Sequence, residues 1–294
     1  MYINPKMRIV CVMPVRNEDW VLGLTARAAL MWCDAILFLD NGSTDETPRI
    51  IAEICGEQDR DRTAVLRLDG EWREMEHRQV MLQQAREMGA THIAMLDADE
   101  IITGNLVPQM HSVIPSASGW TLDLPQFNIY GFLDYAVSGG VWANNFTPVL
   151  FRDDPRLHWC AAADGYQHHA RAPTGMRLRR YRPFNRGGDG GVMHLQMLDE
   201  RRLKAKHLLY QINEMLRWPG RKTAAQVREQ YSLAIYGDSA GFPVSPIKTS
   251  WWQSYEALRR HIFIGGEPWQ LAEAKRLIAD NPGIMEGLDG FGLL

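Results

Sequence analysis

The sequence predicts an α/β fold: a mostly parallel central sheet flanked by helices, followed by a C-terminal helical region. Three observations carry this. Four apolar runs, at 8–13, 35–39, 64–68 and 92–96, have the length and bulk of strands buried on both faces. The segments between them repeat apolar residues at helical spacing, and such alternation builds parallel sheets covered on both sides. From Asp199 onward the strand pattern gives way to helical periodicity.

Taken in order, Arg8 to Met13 is a first strand, broken by Pro14. Asn17 stands where a helix cap is needed, with Glu18 and Asp19 in the first turn and Trp20, Val21, Leu24, Ala28 and Met31 at helical spacing. Ala35 to Leu39 is a second strand that ends at Asp40. Asn41-Gly42-Ser43-Thr44-Asp45 is turn chemistry, with Ser43 as the cap of a helix reaching Cys55. Ala64 to Leu68 is a third strand. A helix from Glu74 to Met88 stacks Met75, Leu82, Ala85 and Met88, and Gly89 closes it. His92 to Leu96 is the fourth strand.

Trp120 to Tyr130 and Thr147 to Phe151 are further strands. The stretch between them, Gly131 to Asn145, is rich in Gly, Asn and aromatic residues and suits a substrate-facing loop. Helices are expected over 201–218, 223–236, 251–263 and 268–279. The chain thus divides into residues 1–195 and a helical part, 196–294.

Composition narrows the class. An apolar content of 46% in 294 residues supports a large core and excludes general disorder. A net charge of −3 selects no partner. The four cysteines, Cys11, Cys33, Cys55 and Cys160, have no paired spacing; they read as reduced, mostly buried thiols of a cytoplasmic protein rather than a zinc site. No run reaches the length of a membrane span, and Ile9 to Met13 is too short for a signal core.

Met95-Leu96-Asp97-Ala98-Asp99-Glu100 concentrates the chemistry. Burying unpaired carboxylates costs several kcal/mol, so acids at the end of a buried strand face water, a cation or a helix end. Ligands of open α/β sheets bind beyond the carboxyl ends of the strands, and Asp-x-Asp there suits a hard divalent cation shared with phosphate oxygens. The plainer alternative is that Asp99 or Glu100 caps a helix opened by Thr103-Gly104. Polar residues also close the earlier strands: Arg16 and Asn17, then Asp40, then Asp69.

Three motifs in register, Val12-Met13-Pro14-Val15-Arg16-Asn17-Glu18, Phe38-Leu39-Asp40-Asn41-Gly42-Ser43-Thr44-Asp45-Glu46-Thr47 and Met95 to Glu100, resemble the family 2 glycosyltransferases of GT-A fold over the first hundred residues. The resemblance implies a GT-A-like (Rossmann-like) catalytic domain over 1–195. Its activity would be transfer of a sugar from a nucleotide-diphosphate donor, a UDP-sugar, to an acceptor hydroxyl with inversion, aided by Mn²⁺ or Mg²⁺. It implies Asp99 as metal ligand, and Asp97 for ribose, a metal-bound water or the metal itself. Asp40 would read the base; Pro14, Arg16, Glu18 and Ala98 would line the nucleotide-sugar pocket. Arg78 matches a diphosphate-contacting arginine only in part, because Gln79 stands where relatives have Asn. His194, after the glycine-rich segment 187–191, matches a late histidine that contacts metal or diphosphate; the glycines suit a mobile loop. Relatives carry a His-Glu pair in the region 158–170. Here Asp164, His168 and His169 stand instead, and all three are candidates for the general base.

Six arginines, Arg171, Arg177, Arg179, Arg180, Arg182 and Arg186, fall in a stretch without acids. They suit either a solvated face that stitches loops or a polyanionic acceptor. Trp142, Arg179, Arg180 and Arg182 are the candidate acceptor contacts, with Tyr130 and Trp159 able to stack sugars or bases. The resemblance implies, as acceptor, a surface glycan or lipid-linked precursor, or a hydroxymethylated base in DNA. A non-catalytic sugar-nucleotide binder and a nucleotidyltransferase of similar fold are the competing classes. Gly-x-Gly-x-x-Gly is missing after the first strand, which excludes a dinucleotide oxidoreductase.

Overall fold

A computed structural model describes residues 6–142, 145–160, 171–237 and 241–294. The parallel half of its sheet is built from β1 (Ile9–Val15), β2 (Ala35–Asp40), β3 (Thr63–Arg67) and β4 (His92–Met95), in the order β3-β2-β1-β4. The helices between them are α1 (Leu22–Ala29), α2 (Thr47–Gly56) and α3 (Glu74–Glu87). Alternate residues of β1 point to opposite faces and both sets are buried. Ile9, Cys11, Met13 and Val15 pack with Ile50, Ile51 and Ile54 of α2. Val10 and Val12 pack with Met75, Met81 and Leu82 of α3. Both faces are covered, as the apolar runs require.

Past β4 the sheet turns mixed. A short β5 (Glu100–Ile102) leads through a 3-10 turn to α4 (Met110–Val113). β6 (Trp120–Tyr130), β7 (Tyr135–Val137), β8 (Phe146–Arg152), β9 (Arg179–Tyr181) and β10 (Val192–Met197) follow, then α5 (Glu200–Arg217), α6 (Ala224–Tyr236), β11 (Val244–Pro246) and α7 (Trp269–Asp280). β8 runs antiparallel to both β4 and β6, so β6 points the same way as β4. β10 lies parallel to β6 and antiparallel to β5. The C-terminal helices share an apolar cluster centred on Leu203, Leu208, Ile212, Tyr231 and Leu271.

Several local expectations are corrected. Pro14 does not break β1, because the ladder to β4 ends at Val12↔Met95 and asks for no N–H there. Thr103-Gly104 opens no helix of its own; Glu100–Ile102 is a strand instead. Helix α1 starts at Leu22 rather than after Asn17, and Met31 lies beyond its end, exposed. The segment Gln253–His261 is a 3-10 helix rather than an α-helix. Its flanks are pinned by Gly104 N–H on Trp251 O (2.7 Å), Ser254 Oγ on Gly104 O (3.0 Å) and Tyr255 Oη on Ile102 O (2.7 Å). Cys55 is half-buried and Cys160 exposed, while Cys11 and Cys33 are buried.

The glycine-rich segment is tied down rather than free. Gly191 N–H donates to Thr103 Oγ1 (3.1 Å), Thr103 N–H to Gly191 O (2.8 Å), and Asn105 Nδ2 to Asp189 O (2.7 Å). A Cβ on Gly191 would stand 2.0 Å from Pro125 O, so this glycine serves the close approach of β10 to β6. Gly191→Ala should therefore force the two strands apart. Urea unfolding is expected to show a loss of about 1–3 kcal/mol or more, the usual range for overpacking.

Candidate active site

Strand pairing assembles the acidic rim. Leaving β4, the chain turns at Asp97-Ala98-Asp99-Glu100, closed by Glu100 N–H on Asp97 O (3.0 Å). The turn is held from beneath by Thr25 of α1, whose hydroxyl donates to Ala98 O (2.7 Å). Ala98, expected at the nucleotide-sugar, turns its methyl into the core instead. β10 pairs with β5 so that His194 lies opposite Glu100, and Leu195 N–H donates to Asp99 O (2.8 Å). That register brings His194 Nε2 to 3.3 Å from Asp99 Oδ2. His194 and Asp99 are 95 positions apart in the chain, and the non-local ladder joins them.

Two chain cations balance this rim. Arg171 grips buried Glu100 through Nη1 (2.7 Å) and Nη2 (2.9 Å), and the same Nη2 reaches Asp97 Oδ2 (2.7 Å). Lys206 of α5 places Nζ at 3.7 Å from Asp99 Oδ2 and 3.4 Å from Gln196 Oε1. Gln126 Nε2 completes the floor, donating to Glu100 Oε1 (3.1 Å) and lying 3.3 Å from His194 Nδ1.

These neighbours shift the titrations. Burial works against the charge of Asp99, but His194 and Lys206 outweigh it and hold the carboxyl below its usual range. Burial likewise opposes ionised Asp97, and Arg171 with Arg78 overcomes it. Glu18 has the reverse balance. Burial first, and Asp99 second, raise it to about 8, although Lys206 and the Trp20 indole N–H (2.6 Å from Oε2) favour its charge.

The remaining predicted residues fall around this rim. Pro14, Arg78, Leu96, Asp97 and Trp159 line one narrow cleft. Arg78 is paired with Glu74 (2.7 Å) and mostly buried, so it is not a free surface arginine. Gln79 is committed elsewhere: its Oε1 accepts Trp159 N–H (2.8 Å). Asp40 is buried and its Oδ1 accepts Ser43 N–H (2.9 Å). Neither Asn17 nor Ser43 caps a helix. Asn17, at φ 53°, accepts Thr44 N–H (2.7 Å) on its side-chain oxygen and donates its own N–H to Ser43 Oγ (2.9 Å), locking the tips of β1 and β2 together. Arg16 stacks on the Trp269 ring of α7 (4.6 Å) and reaches Asn41 Oδ1 (3.4 Å).

The arginine run divides in two. Arg180 (2.9 Å) and Arg182 (3.7 Å) share buried Asp123, Arg179 lies over Trp120, and Arg186 bonds the Gln126 and Asn145 carbonyls. Arg171 alone joins the acidic rim. Trp142 donates to Ala234 O (3.1 Å) and packs with the C-terminal helices rather than standing free. Asp164, His168 and His169 lie outside the described residues. Lys206 and Gln126 escaped the sequence reading because nothing local distinguishes them, and Arg171 stood out there only as one member of the arginine run. Glu100 adjoined the motif and was read only as a possible cap.

The donor set suits a divalent cation. The carboxylate of Asp99 and the imidazole of His194 are within hydrogen-bond distance of each other, and both are acceptable ligands for Mn²⁺ or Mg²⁺. Among the described residues no group of three His, Cys, Asp or Glu side chains converges as a ready ligand set. A divalent cation bound there would have these two donors among the described residues and would take its other ligands from water or substrate oxygens. Asp97, expected beside them as a metal contact, is paired through Oδ2 with Arg171 (2.7 Å).

Residues 10–115 match the family model described as glycosyl transferase family 2, and this segment holds all three motifs. Among solved structures, TarS residues 1–349 from S. aureus align at 12% identity over 94% of this chain and 89% of that chain, with a TM-score of 0.41. The same protein with UDP-GlcNAc aligns at 13% over 94% and 89%, TM-score 0.39. Glucosyl-3-phosphoglycerate synthase from M. tuberculosis, with Mn²⁺, UDP and phosphoglyceric acid, aligns at 20% over 42% of this chain and 44% of that chain, TM-score 0.28. No curated protein matches the chain.

The raised pKa of Glu18 fixes the sign of one pH effect. The folded protein holds this proton more tightly than the unfolded chain, so the stabilisation is full below the ordinary 4.5 and is lost as pH rises towards about 8. In Glu18→Gln that loss should vanish. Melting temperatures of the two proteins across this window, in chelator, are expected to diverge in wild type's disfavour as pH rises.

Proposed function

We propose that this glycosyltransferase, whose family 2 domain spans residues 10–115, moves a sugar from a UDP-sugar to an acceptor hydroxyl with inversion and with the help of a divalent cation. The observation that carries the reading is the meeting of Asp99 and His194 at the carboxyl end of β4, beside two chain cations. Asp99 and His194 would hold Mn²⁺ or Mg²⁺, and the ion would neutralise the departing diphosphate, commonly the largest catalytic contribution.

The chain's own residues supply the rest. Asp40, at the end of β2, is set for the ring N–H of uracil, and Arg16 and Pro14 border the same tips. Asp97, fixed by Arg171, is set for a ribose hydroxyl. Lys206 adds a second positive charge next to Asp99, and Arg78 a third towards Asp97. Asp164, His168 and His169 remain the candidates for the base that deprotonates the acceptor.

For the acceptor, a glycan or its lipid-linked precursor is favoured over a polynucleotide. Tyr130, Phe132 and Tyr135 are exposed where β6 ends, on the side of the sheet where β4 delivers its aspartates, and aromatic faces suit sugar rings. Arg180 and Arg182, by contrast, spend part of their charge on Asp123. No helix among the described residues is long and apolar enough to cross a membrane.

A thermal-shift panel of nucleotide sugars with and without Mn²⁺ tests the donor half. UDP-sugars should stabilise the protein more when metal is present, with UDP released on turnover. Asp99→Ala should abolish the metal-dependent part; if it leaves that part intact, the ligand assignment is wrong. DNA binding measured between 50 and 200 mM salt tests the acceptor half. A steep salt dependence would favour the polynucleotide; weak, salt-insensitive binding is expected.

A further inference from the structure

The C-terminal helices are fastened to the loops at the donor end of the sheet in two places. Arg217, at the end of α5, donates to Trp72 O (3.2 Å) and pairs with Glu71 (2.9 Å) in the loop after β3. Trp269, at the start of α7, lies under the guanidinium of Arg16 at the tip of β1 (4.6 Å). Glu273, one turn along α7, also feels the charge of Arg16. These tips are where Asp40 and Asn41 close β2, since Val15 is paired with Asp40 in the β1–β2 ladder.

Two donors at this contact have no acceptor. Arg16 Nε and Trp269 Nε1 are both buried and, among the described residues, neither has a hydrogen-bond partner. Buried N–H groups are nearly always satisfied, and leaving one unpaired costs free energy. Two on one stacked pair mark a place where a planar group bearing acceptor oxygens completes the structure. A pyrimidine base with ring carbonyls has that chemistry: a flat face for the indole and guanidinium, and oxygens for the two N–H groups.

From this we infer that Trp269 is a donor-binding residue: the C-terminal helix α7 supplies an aromatic wall for the base of the UDP-sugar, acting with Arg16. This rests on the UDP-sugar reading above and extends it to a residue far outside the family 2 domain. The other role open to the contact, packing of α7 on α5, uses Leu271 and Ala274 with Trp269 partly buried against the same cluster, and it gives neither orphaned donor an acceptor.

Calorimetric titration of the full chain in Mn²⁺ with UDP, and separately with pyrophosphate, distinguishes the two. Trp269→Ala should weaken UDP by about tenfold or more, in the range alanine substitution takes from base–aromatic stacking, and leave pyrophosphate unchanged. Trp269→Phe, which keeps a stacking face, should recover most of the loss, and both variants should melt close to wild type. Equal UDP affinity in wild type and Trp269→Ala overturns the inference while leaving the donor reading in place. So does a matching loss for pyrophosphate, which would mean general disturbance of the site. A wild-type chain that binds pyrophosphate but not UDP overturns the donor reading and this inference together.

Discussion

The active rim depends on charge balance. Glu18, Asp97, Asp99 and Glu100 crowd the carboxyl ends of the neighbouring strands β1 and β4, and Glu100 is fully withdrawn from water. Such a group is tolerable only with cations and donors of fixed geometry. Arg171 answers with a guanidinium fork divided between Glu100 and Asp97, and Lys206 answers Asp99 from α5. Glu18 is the exception, resolved by keeping its proton. The rim is thus an electrostatic unit to which the family 2 segment contributes the acids and later parts of the chain the bases.

This division of labour explains what the sequence could and could not tell. Strands β1 to β4 and helix α3 were legible because apolar spacing reports burial directly, and Asp97 and Asp99 because acids seldom follow a buried run without purpose. Helix α6 was legible from its apolar spacing, and the structure adds a capping box between Thr223 and Gln226 at its start. The partnership of His194 with Asp99 was suggested only by resemblance. Its cause is an antiparallel ladder between β5 and β10, which no local pattern encodes.

Misreadings arose where one residue type serves two purposes. Asn17 has the chemistry of a helix cap but uses its amide to bridge two loops. The arginine run suited either a stitching face or an acceptor surface; it resolves into a stitch on Asp123, a pair of carbonyl contacts from Arg186, and Arg171, which enters the acidic rim. Gly191 suggested a hinge, yet its value lies in letting β10 approach Pro125 closely. In each case tertiary contacts, rather than propensity, choose among the roles the side chain permits.

The Asn17 bridge has a consequence for recognition. Its backbone sits in the left-handed region at φ 53°, where glycine would rest more easily, but glycine could not make the bonds to Thr44, Asp45 and the β2 loop. Those bonds, made in spite of the left-handed backbone, keep the two loop tips in register before any ligand arrives. A molecule docking there meets a surface already organised, so less ordering entropy is subtracted from its affinity.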